Sequence, residues 1–218
     1  MINLGVLVSG SGTNLQAIID AIEAKKLPAN INVVISNNPN AYAVQRAKIH
    51  NIPVEVIPNS SAATREAYDN IVVEVLKRYT VELVVLAGFM RVLTQSLINA
   101  FPMHIMNIHP ALLPSFHGLH AQKNAVDYGV KFSGATVHFV DEGIDTGPII
   151  IQAVVPVYDD DTEETLAKRI LKEEHKIYPY AIQLFAEGRL EVKGRRVVVK
   201  DTAKTENTFL ENPSSNQK

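Results

Sequence analysis

Apolar and polar positions follow two different periods along the first half of the chain. Short runs rich in Val, Ile and Leu have the length and composition of β-strands, and several are apolar throughout, as in strands covered on both faces. These runs are residues 2–8, 31–36, 53–57, 82–87 and 104–109. Between them, apolar residues recur at helical spacing in residues 14–26, 41–50, 64–80 and 94–100. The pattern predicts strands and helices in alternation.

One of these helices, residues 64–80, has a clear start signal. Thr64 is a residue type that caps helices by accepting a hydrogen bond from a backbone N–H of the first turn. The positions expected to face inward are Ala67, Ile71, Val75 and Leu76.

The second half of the chain has a different order of elements. A Pro-, Gly- and His-rich loop leads to a helix at residues 121–128, and two strands follow. A long helix then begins at an N-cap, Thr162, with a break or kink expected near Pro179. The remaining predicted ranges are strands 132–140 and 148–157, helix 162–187, and a hairpin of 189–192 with 195–199. Residues 201–218 are polar and aperiodic, and we expect them to be disordered.

Together these elements predict an α/β fold. The alternation favours a single domain, residues 1–200, with a mostly parallel twisted sheet and helices on both faces. Ligands of such sheets bind beyond the carboxyl ends of the strands. Three loops are predicted to meet at that edge: the Gly-rich turn after the first strand, residues 88–93, and residues 107–109.

Composition and charge exclude several classes of protein. The 218 residues carry a net charge of −2, so there is no basic excess for binding nucleic acid. The absence of cysteine excludes disulfides and thiolate chemistry. The first strand follows directly on Met1 without a basic segment, and no apolar run has the roughly 20 residues that span a bilayer. We expect a cytoplasmic protein that does not bind membranes.

The turn Gly10-Ser11-Gly12-Thr13-Asn14 lies between a strand and a helix, where free backbone N–H groups form an anion site. Ser11 and Thr13 can add hydroxyl donors. A dinucleotide fingerprint would require glycine at Leu15 and an acidic residue after the second strand, and a nucleotide P-loop would require lysine. The alternatives that remain are a site for one small phosphate and a turn without a ligand.

Asn107 and His109 are two residues apart on the fifth predicted strand and therefore point to the same face. A neutral amide donor beside a titratable imidazole suits a reaction in which a carbonyl oxygen becomes negative while a proton is delivered. A carboxylate beside the imidazole would raise its pKa. Asp145 is the candidate, with Asp141 and Glu142 as rivals in the same loop. The structural alternative is a satisfied core histidine and a solvated acidic turn.

The remaining histidines give weaker indications of function. His109, His117 and His120 are close in sequence, but nothing fixes convergent ligand geometry, and no metal is expected. His138 is interpreted as strand packing.

The chain resembles the folate-dependent formyltransferases, in the branch of the glycinamide ribonucleotide transformylases (phosphoribosylglycinamide formyltransferases). The run Asn-Ile-His-Pro-x-Leu-Leu-Pro marks the wider superfamily, and the Gly-rich turn marks the branch. The matching stretches are residues 9–16, 86–91, 107–114, 141–147 and 174–179. They occur in the family's order, and the resemblance extends over residues 1 to about 195.

The resemblance implies a role for each matching residue. His109 matches the catalytic acid, Asn107 the oxyanion donor, and Asp145 the carboxylate that supports the histidine. The positions matching the ribonucleotide site are Ser11, Gly12, Thr13, Asn14, Leu15 and Glu174. The positions matching the folate site are Arg65, Met90, Arg91, Val92, Leu93, Asn107, Val140 and Asp141. The implied co-substrate is 10-formyltetrahydrofolate, the implied acceptor is 5′-phosphoribosylglycinamide, and the protein is expected to be a monomer or homodimer.

Two departures from the family are modest. The turn reads Gly-Ser-Gly-Thr where some relatives have Asn and Ser, and Ser-Phe-His-Gly follows Pro114 where Lys-Tyr or Lys-Phe is common. Neither removes a side chain that the chemistry requires. A formyltetrahydrofolate hydrolase is the nearest alternative, since it would use water as the nucleophile with the same Asn-His-Asp set. Such hydrolases carry an extra N-terminal domain, and methionyl-tRNA formyltransferases carry an extra C-terminal one. A non-catalytic phosphometabolite-binding protein would need the turn but not the three polar residues.

Overall fold

The computed structural model describes residues 1–200. The strands are β1 Ile2–Val8, β2 Ala29–Ser36, β3 Val54–Val56, β4 Leu83–Leu86, β5 Ile105–His109, β6 Phe132–Phe139, β7 Ile149–Pro156, β8 Leu190–Lys193 and β9 Arg196–Val199. The helices are α1 Thr13–Glu23, α2 Tyr42–Ile49, α3 Arg65–Arg78, α4 Gln95–Ala100, α5 Ala121–Tyr128 and α6 Glu163–Ala186, with a 3₁₀ turn at Asn59–Ser61. The predicted tail, 201–218, lies outside the described residues.

All strands belong to one sheet in the order β3-β2-β1-β4-β5-β6-β7-β9-β8. The strands from β3 to β5 pair in parallel, whereas β6 is antiparallel to both β5 and β7. The chain runs outward from β1 to β3 and then returns to place β4 on the other side of β1. This reversal is a topological switch point, where loops at the carboxyl ends diverge and leave a crevice.

Helices cover both faces of the sheet, as predicted. β4 shows this directly, because Leu83 and Val85 join one apolar cluster and Val84 and Leu86 join the other. The first cluster includes residues of α1, α2, α5 and α6, and the second includes residues of α3 and α4. The predicted α/β fold and its mostly parallel central sheet are confirmed.

The inward face of α3 differs from the prediction. Thr64 does cap the helix, accepting a hydrogen bond from the Ala67 N–H at 3.1 Å. However, Ala67 is exposed and Ile71 is 38% exposed, while Tyr68 and Val72 are fully buried. Tyr68, Val72, Val75 and Leu76 share one helical face, and Ala67 and Ile71 are each rotated about 100° from it. Burial of the larger Tyr68 side chain decides the orientation.

The prediction near Pro179 was a break or a kink, and the break is excluded, because α6 continues through Pro179. Pro179 lacks only one backbone donor, and the surrounding turn is tightly packed: Ile177, Tyr178, Ala181 and Ile182 are fully buried. The burial of about four apolar side chains outweighs one lost hydrogen bond. The predicted cap at Thr162 is present, with Thr165 completing a reciprocal pair of bonds.

Tyr178 fixes α6 against the sheet. Its hydroxyl lies 2.9 Å from the Leu86 carbonyl and 3.0 Å from the Met106 carbonyl, and its one proton is shared between them. The bond therefore joins the carboxyl ends of β4 and β5, immediately before Ala87 and Asn107. Within residues 1–200, none of the helices is both long and apolar enough to cross a membrane.

Candidate active site

The three loops predicted to converge do lie side by side. The Ser9 N–H donates to the Gly88 carbonyl at 3.1 Å, and the Met90 N–H donates to the Ser9 hydroxyl at 2.8 Å. These bonds join the end of β1 to the loop after β4, and β5 with Asn107 is the next strand. Since neighbouring strands are about 4.8 Å apart, the Gly-rich turn and Asn107 are separated by roughly two strand spacings, about 10 Å.

The Gly-rich turn has the conformation of an anion cradle. Gly12 is in the left-handed region, with φ 70°, and it precedes the first residue of α1. A Cβ at Gly12 would lie 2.6 Å from the Cβ of Ala43, so both the conformation and the packing require glycine. The Gln16 N–H bonds back to the Gly12 carbonyl at 2.9 Å, which leaves the N–H groups of Thr13, Asn14 and Leu15 as the free donors of the first turn.

The predicted ribonucleotide residues contribute in different ways. The Ser11 side chain is exposed, and Thr13 is partly exposed. The Leu15 side chain is fully buried in the core, so only its backbone N–H is available to a ligand. Leu15 stays a predicted contact of the ribonucleotide, made by its backbone N–H and not by its side chain.

Glu174 reaches this turn from α6, far away in the sequence. The Asn14 Nδ2 donates to its Oε2 at 2.7 Å, and both residues are buried. Burial raises the pKa of Glu174, and the hydrogen bond from Asn14 offsets part of that rise. The Asn14 Oδ1 is buried without a hydrogen-bond partner in the described residues. A polar ligand at the turn would satisfy this orphaned acceptor.

Asn107, His109 and Asp145 lie close together, as predicted, and a fourth residue, His138, lies beside them. Asp145 Oδ2 lies 3.3 Å from His109 Nδ1, and Asp145 Oδ1 lies 3.4 Å from Asn107 Nδ2. Asn107 Nδ2 also lies 3.2 Å from His138 Nε2, which is itself 3.7 Å from Asp145 Oδ1. His138 was predicted to be strand packing, and that interpretation is wrong. It is a fourth member of the cluster.

The position of His138 follows from strand register. Asn107 and His138 are paired residues on the antiparallel strands β5 and β6, so their side chains lie on the same face. The His138 Nδ1 is 2.8 Å from the Phe139 carbonyl. Because a carbonyl only accepts, Nδ1 carries the proton and Nε2 accepts from Asn107. The histidine thus orients the amide. The register could not be read from the sequence.

His109 is 5% exposed, and its Nε2 donates to the Phe116 carbonyl at 2.8 Å. Burial lowers the pKa of His109 below its usual range, while the Asp145 carboxylate and the Phe116 carbonyl oppose that shift. Asp145 does raise the pKa of His109, as expected, but burial lowers that pKa by more. A neutral imidazole has one N–H. In His109 this N–H is at Nε2 and donates to the Phe116 carbonyl, so Nδ1 faces Asp145 without a proton. Uptake of a second proton completes the bond to Asp145.

Asp145 is held as a carboxylate. Burial alone would raise its pKa, but His138, the Gly118 N–H and His109 together hold the pKa below its usual range. The Gly118 N–H donates to Oδ2 at 2.9 Å, linking the loop of residues 110–120 to the acidic loop. The backbone of Asp145 is left-handed, with φ 54°, which is costly for a residue other than glycine.

The rivals of Asp145 have other positions. Asp141 Oδ1 accepts from the Thr146 hydroxyl at 2.6 Å and from the Gly143 N–H at 3.2 Å, so it fixes the acidic loop itself. Glu142 is exposed. Gly147 allows the loop to close, because a Cβ there would lie 1.8 Å from the Phe139 carbonyl oxygen.

The predicted folate residues lie in several segments, and Met90 to Leu93 belong to the loop after β4, the strand between β1 and β5. Met90 and Val92 are 68% and 49% exposed, so both side chains are accessible to a ligand. The Arg91 guanidinium lies 3.8 Å from the centre of the Tyr68 ring, and its Nη1 donates to Asn59. Arg65 is exposed, Leu93 is partly buried, and the Val140 N–H bonds to the Ile105 carbonyl.

Two cavities among the described residues adjoin α1. One of about 320 Å³ lies beside the Gly-rich turn and is lined by Thr13, Gln16, Ala17, Asp20, Arg46 and His175. A larger one of about 460 Å³ lies between α1 and α6 and contacts none of the predicted site residues. Among residues 1–200, no group of three or more His, Cys, Asp or Glu side chains is arranged to hold a metal ion.

Comparison with known proteins gives a consistent picture. The formyl transferase family profile matches residues 2–182. The crystal structure of glycinamide ribonucleotide transformylase 1 from Symbiobacterium toebii is 51% identical, with a TM-score of 0.90, over 91% of this chain and 94% of that chain. The phosphoribosylglycinamide formyltransferase of Haemophilus influenzae is 42% identical over 193 residues, 88% of this chain and 91% of that protein.

A longer relative is similar over a smaller share of its length. The trifunctional purine biosynthetic protein adenosine-3 of Drosophila melanogaster is 48% identical over 187 residues, which is 85% of this chain. The match spans only 14% of that relative.

Proposed function

The chain belongs to the formyl transferase family, and we propose that it transfers the formyl group of 10-formyltetrahydrofolate to the amine of 5′-phosphoribosylglycinamide. The observation that carries this proposal is the convergence of Asn107, His109 and Asp145 at the sheet edge that also holds the phosphate turn. A phosphate-bearing amine held at the turn can then reach a formyl carbon beside Asn107.

The reaction is a direct acyl transfer. The amine nitrogen forms a bond to the formyl carbon, and the electron pair of the carbonyl moves onto oxygen. The tetrahedral oxyanion then collapses, the bond from carbon to N10 of the folate breaks, and N10 gains the proton that the amine loses. No acyl-enzyme is required, because the bound substrate is the nucleophile. Holding both substrates together supplies a large share of the rate, about 7 kcal/mol in favourable cases.

Asn107 and His109 act on the oxyanion. The contact from Asn107 Nδ2 to Asp145 is long, at 3.4 Å, so this N–H is the one that turns to the developing negative charge. That same charge, added to Asp145, raises the pKa of the buried His109 during the reaction. His109 therefore takes up the proton that the amine loses, pairs as an imidazolium with Asp145 through Nδ1–H, and then passes a proton to N10 as the folate leaves.

The ribonucleotide would bind with its phosphate on the N–H groups of the Gly-rich turn, including those of Ser11 and Gly12, and of the first turn of α1, aided by the Ser11 and Thr13 hydroxyls. Glu174, buried beneath Asn14, would accept hydrogen bonds from the ribose hydroxyls. The folate would lie across Met90, Val92 and Leu93, near the backbone of Val140 and Asp141. Arg65 and Arg91 are the cations available to its glutamate carboxylates.

The His109–Phe116 bond gives the loop of residues 110–120 a role. His109 Nε2 is occupied by a backbone carbonyl of that loop, so the loop must rearrange before this nitrogen can reach a substrate. We expect the loop to close over bound folate, with a change in its protease sensitivity.

The decisive experiment follows folate absorbance with 10-formyltetrahydrofolate, with and without the ribonucleotide. Deformylation that requires the ribonucleotide, together with formylated product by mass, supports the transferase. Deformylation without the ribonucleotide means that water is the nucleophile and the protein is a hydrolase. No deformylation under either condition refutes catalysis and leaves a binding protein.

A further inference from the structure

Arg46 of α2 contacts the Gly-rich turn. Its Nε donates to the Ser11 carbonyl at 2.9 Å, and its Nη1 donates to Gln16 Oε1 at 3.0 Å. The guanidinium also lies over the ring of Tyr42, 4.8 Å from its centre. The side chain is partly buried and held by three partners, so it is positioned before any ligand binds.

A second contact from α2 fixes the peptide group between Gly10 and Ser11. The Ala43 N–H donates to the Gly10 carbonyl at 3.1 Å. In a trans peptide the carbonyl and the following N–H point in opposite directions. By fixing the carbonyls of Gly10 and Ser11 toward α2, Ala43 and Arg46 direct the N–H groups of Ser11 and Gly12 away from α2.

We infer that Arg46 is a positioning residue for phosphate recognition, which fixes the peptide planes of the Gly-rich turn so that their N–H groups converge on the substrate phosphate. This inference rests on the proposed function and makes it more specific, because it assigns selectivity for the phosphorylated substrate to a residue outside the turn. The guanidinium also lines the 320 Å³ cavity beside Thr13 and adds a permanent positive charge there.

A purely structural role is the alternative, since Arg46 and Gln16 also connect α2 to α1. The two roles differ in what they affect. Loss of a structural tie lowers stability and weakens all ligands of the site alike. Loss of peptide-plane orientation weakens only ligands that carry a phosphate.

The experiment compares Arg46→Met and Arg46→Lys with Lys48→Met, a matched control. Lys48 is exposed on the same helix, and two residues further on it faces roughly the opposite side, so its replacement removes the same charge away from the turn. Binding of ribose 5-phosphate is measured by calorimetry. Steady-state constants are measured with the ribonucleotide and with its phosphate-free riboside, and thermal melts report folding.

Arg46→Met should weaken ribose 5-phosphate binding and raise the KM for the ribonucleotide roughly 10- to 100-fold, the effect of losing a charge-assisted hydrogen bond. The kcat, the KM for folate and the constants for the riboside should change by no more than about two-fold. Arg46→Lys should recover part of the loss, because an ammonium can reach the Ser11 carbonyl but lacks the second arm for Gln16. Lys48→Met should match the wild type.

Two results would overturn the inference. One is ribose 5-phosphate binding by Arg46→Met that equals binding by Lys48→Met. The other is an equal loss for ribonucleotide and riboside, which means a structural role. Failure of the proposed function is a separate result: the wild-type protein would then transfer no formyl group. If the wild type transfers formyl but Arg46→Met is normal, only the role of Arg46 is refuted.

Discussion

The Gly-rich turn and the cluster around His109 lie at the same edge of the sheet but are constructed differently. The turn is one contiguous segment, residues 10–14, whose working groups are backbone N–H donors. The cluster consists of side chains from β5, β6 and the loop before β7. Its residue His109 also bonds to a fourth segment, at the Phe116 carbonyl. The turn is therefore specified locally, whereas the cluster depends on how distant segments pack.

This difference predicts different responses to mutation. Changes in the cluster should affect the chemical step, because the proposed function has its side chains act on charge that develops in the transition state. Changes in the turn should affect substrate affinity and local strain. Four substitutions test the contrast, in order of decreasing expected effect.

Replacing His109 with alanine should have the largest effect. We expect kcat to fall roughly 10²- to 10⁴-fold, because a general acid is lost, with little change in the KM of either substrate. Single-turnover assays measure the chemical step, and circular dichroism checks the fold. His104→Ala is the control, since His104 is an exposed imidazole just before the same strand. Near-normal turnover in His109→Ala would refute the assignment of His109 as a catalytic residue.

Asp145→Asn should lower kcat roughly 10- to 100-fold by removing the charge that supports the imidazolium. The Asp145 charge opposes the effect of burial on His109, so its removal should lower the pKa of His109 further. NMR titration of the histidine measures this directly. Asp141→Asn in the same loop should leave that pKa in place, because the Asp141 Oδ1 bonds to Thr146 and Gly143. An unmoved pKa in Asp145→Asn contradicts the pairing.

Gly12→Ala tests the turn. The left-handed backbone and the 2.6 Å approach to the Ala43 Cβ should cost roughly 1–3 kcal/mol of stability and distort the donors. The KM for the ribonucleotide should rise about ten-fold while kcat changes little. Gly10→Ala is the control for stability, since a Cβ there meets nothing within 4 Å. Equal melting temperatures for the two variants would count against strain at Gly12.

Glu174→Gln should stabilise the ligand-free protein slightly. Burial raises the folded-state pKa of Glu174, so its contribution to stability is present below the unfolded pKa of about 4.3 and is lost as pH rises through the folded pKa. Glutamine keeps an acceptor for Asn14 without that loss. The melting temperature of Glu174→Gln should therefore exceed that of the wild type at pH 7 and match it near pH 4. A lower melting temperature at pH 7 would mean that the ionised carboxylate is stabilising.

The same contrast explains which predictions succeeded. Strands, helices and both threonine caps were predictable because hydrophobic period and capping residues act within a few positions. The inward face of α3 was predicted incorrectly because two adjacent faces of the helix carry apolar residues. Only packing against the sheet decides that the face with Tyr68 is buried. No break occurs at Pro179, because the packing of a fully buried turn outweighs the local tendency of proline to end a helix.

The sequence by itself determined the order of the elements, the position of the Gly-rich turn and the residue types proposed for the reaction. Each of these depends on local backbone preference or on neighbours in the chain. Only the tertiary structure decided that His138 faces Asn107, that Asp145 and not Asp141 reaches His109, and that burial outweighs Asp145 in setting the pKa of His109. The physical reason is that strand register, loop closure and desolvation depend on segments far apart in the chain, whose contacts carry no local signal.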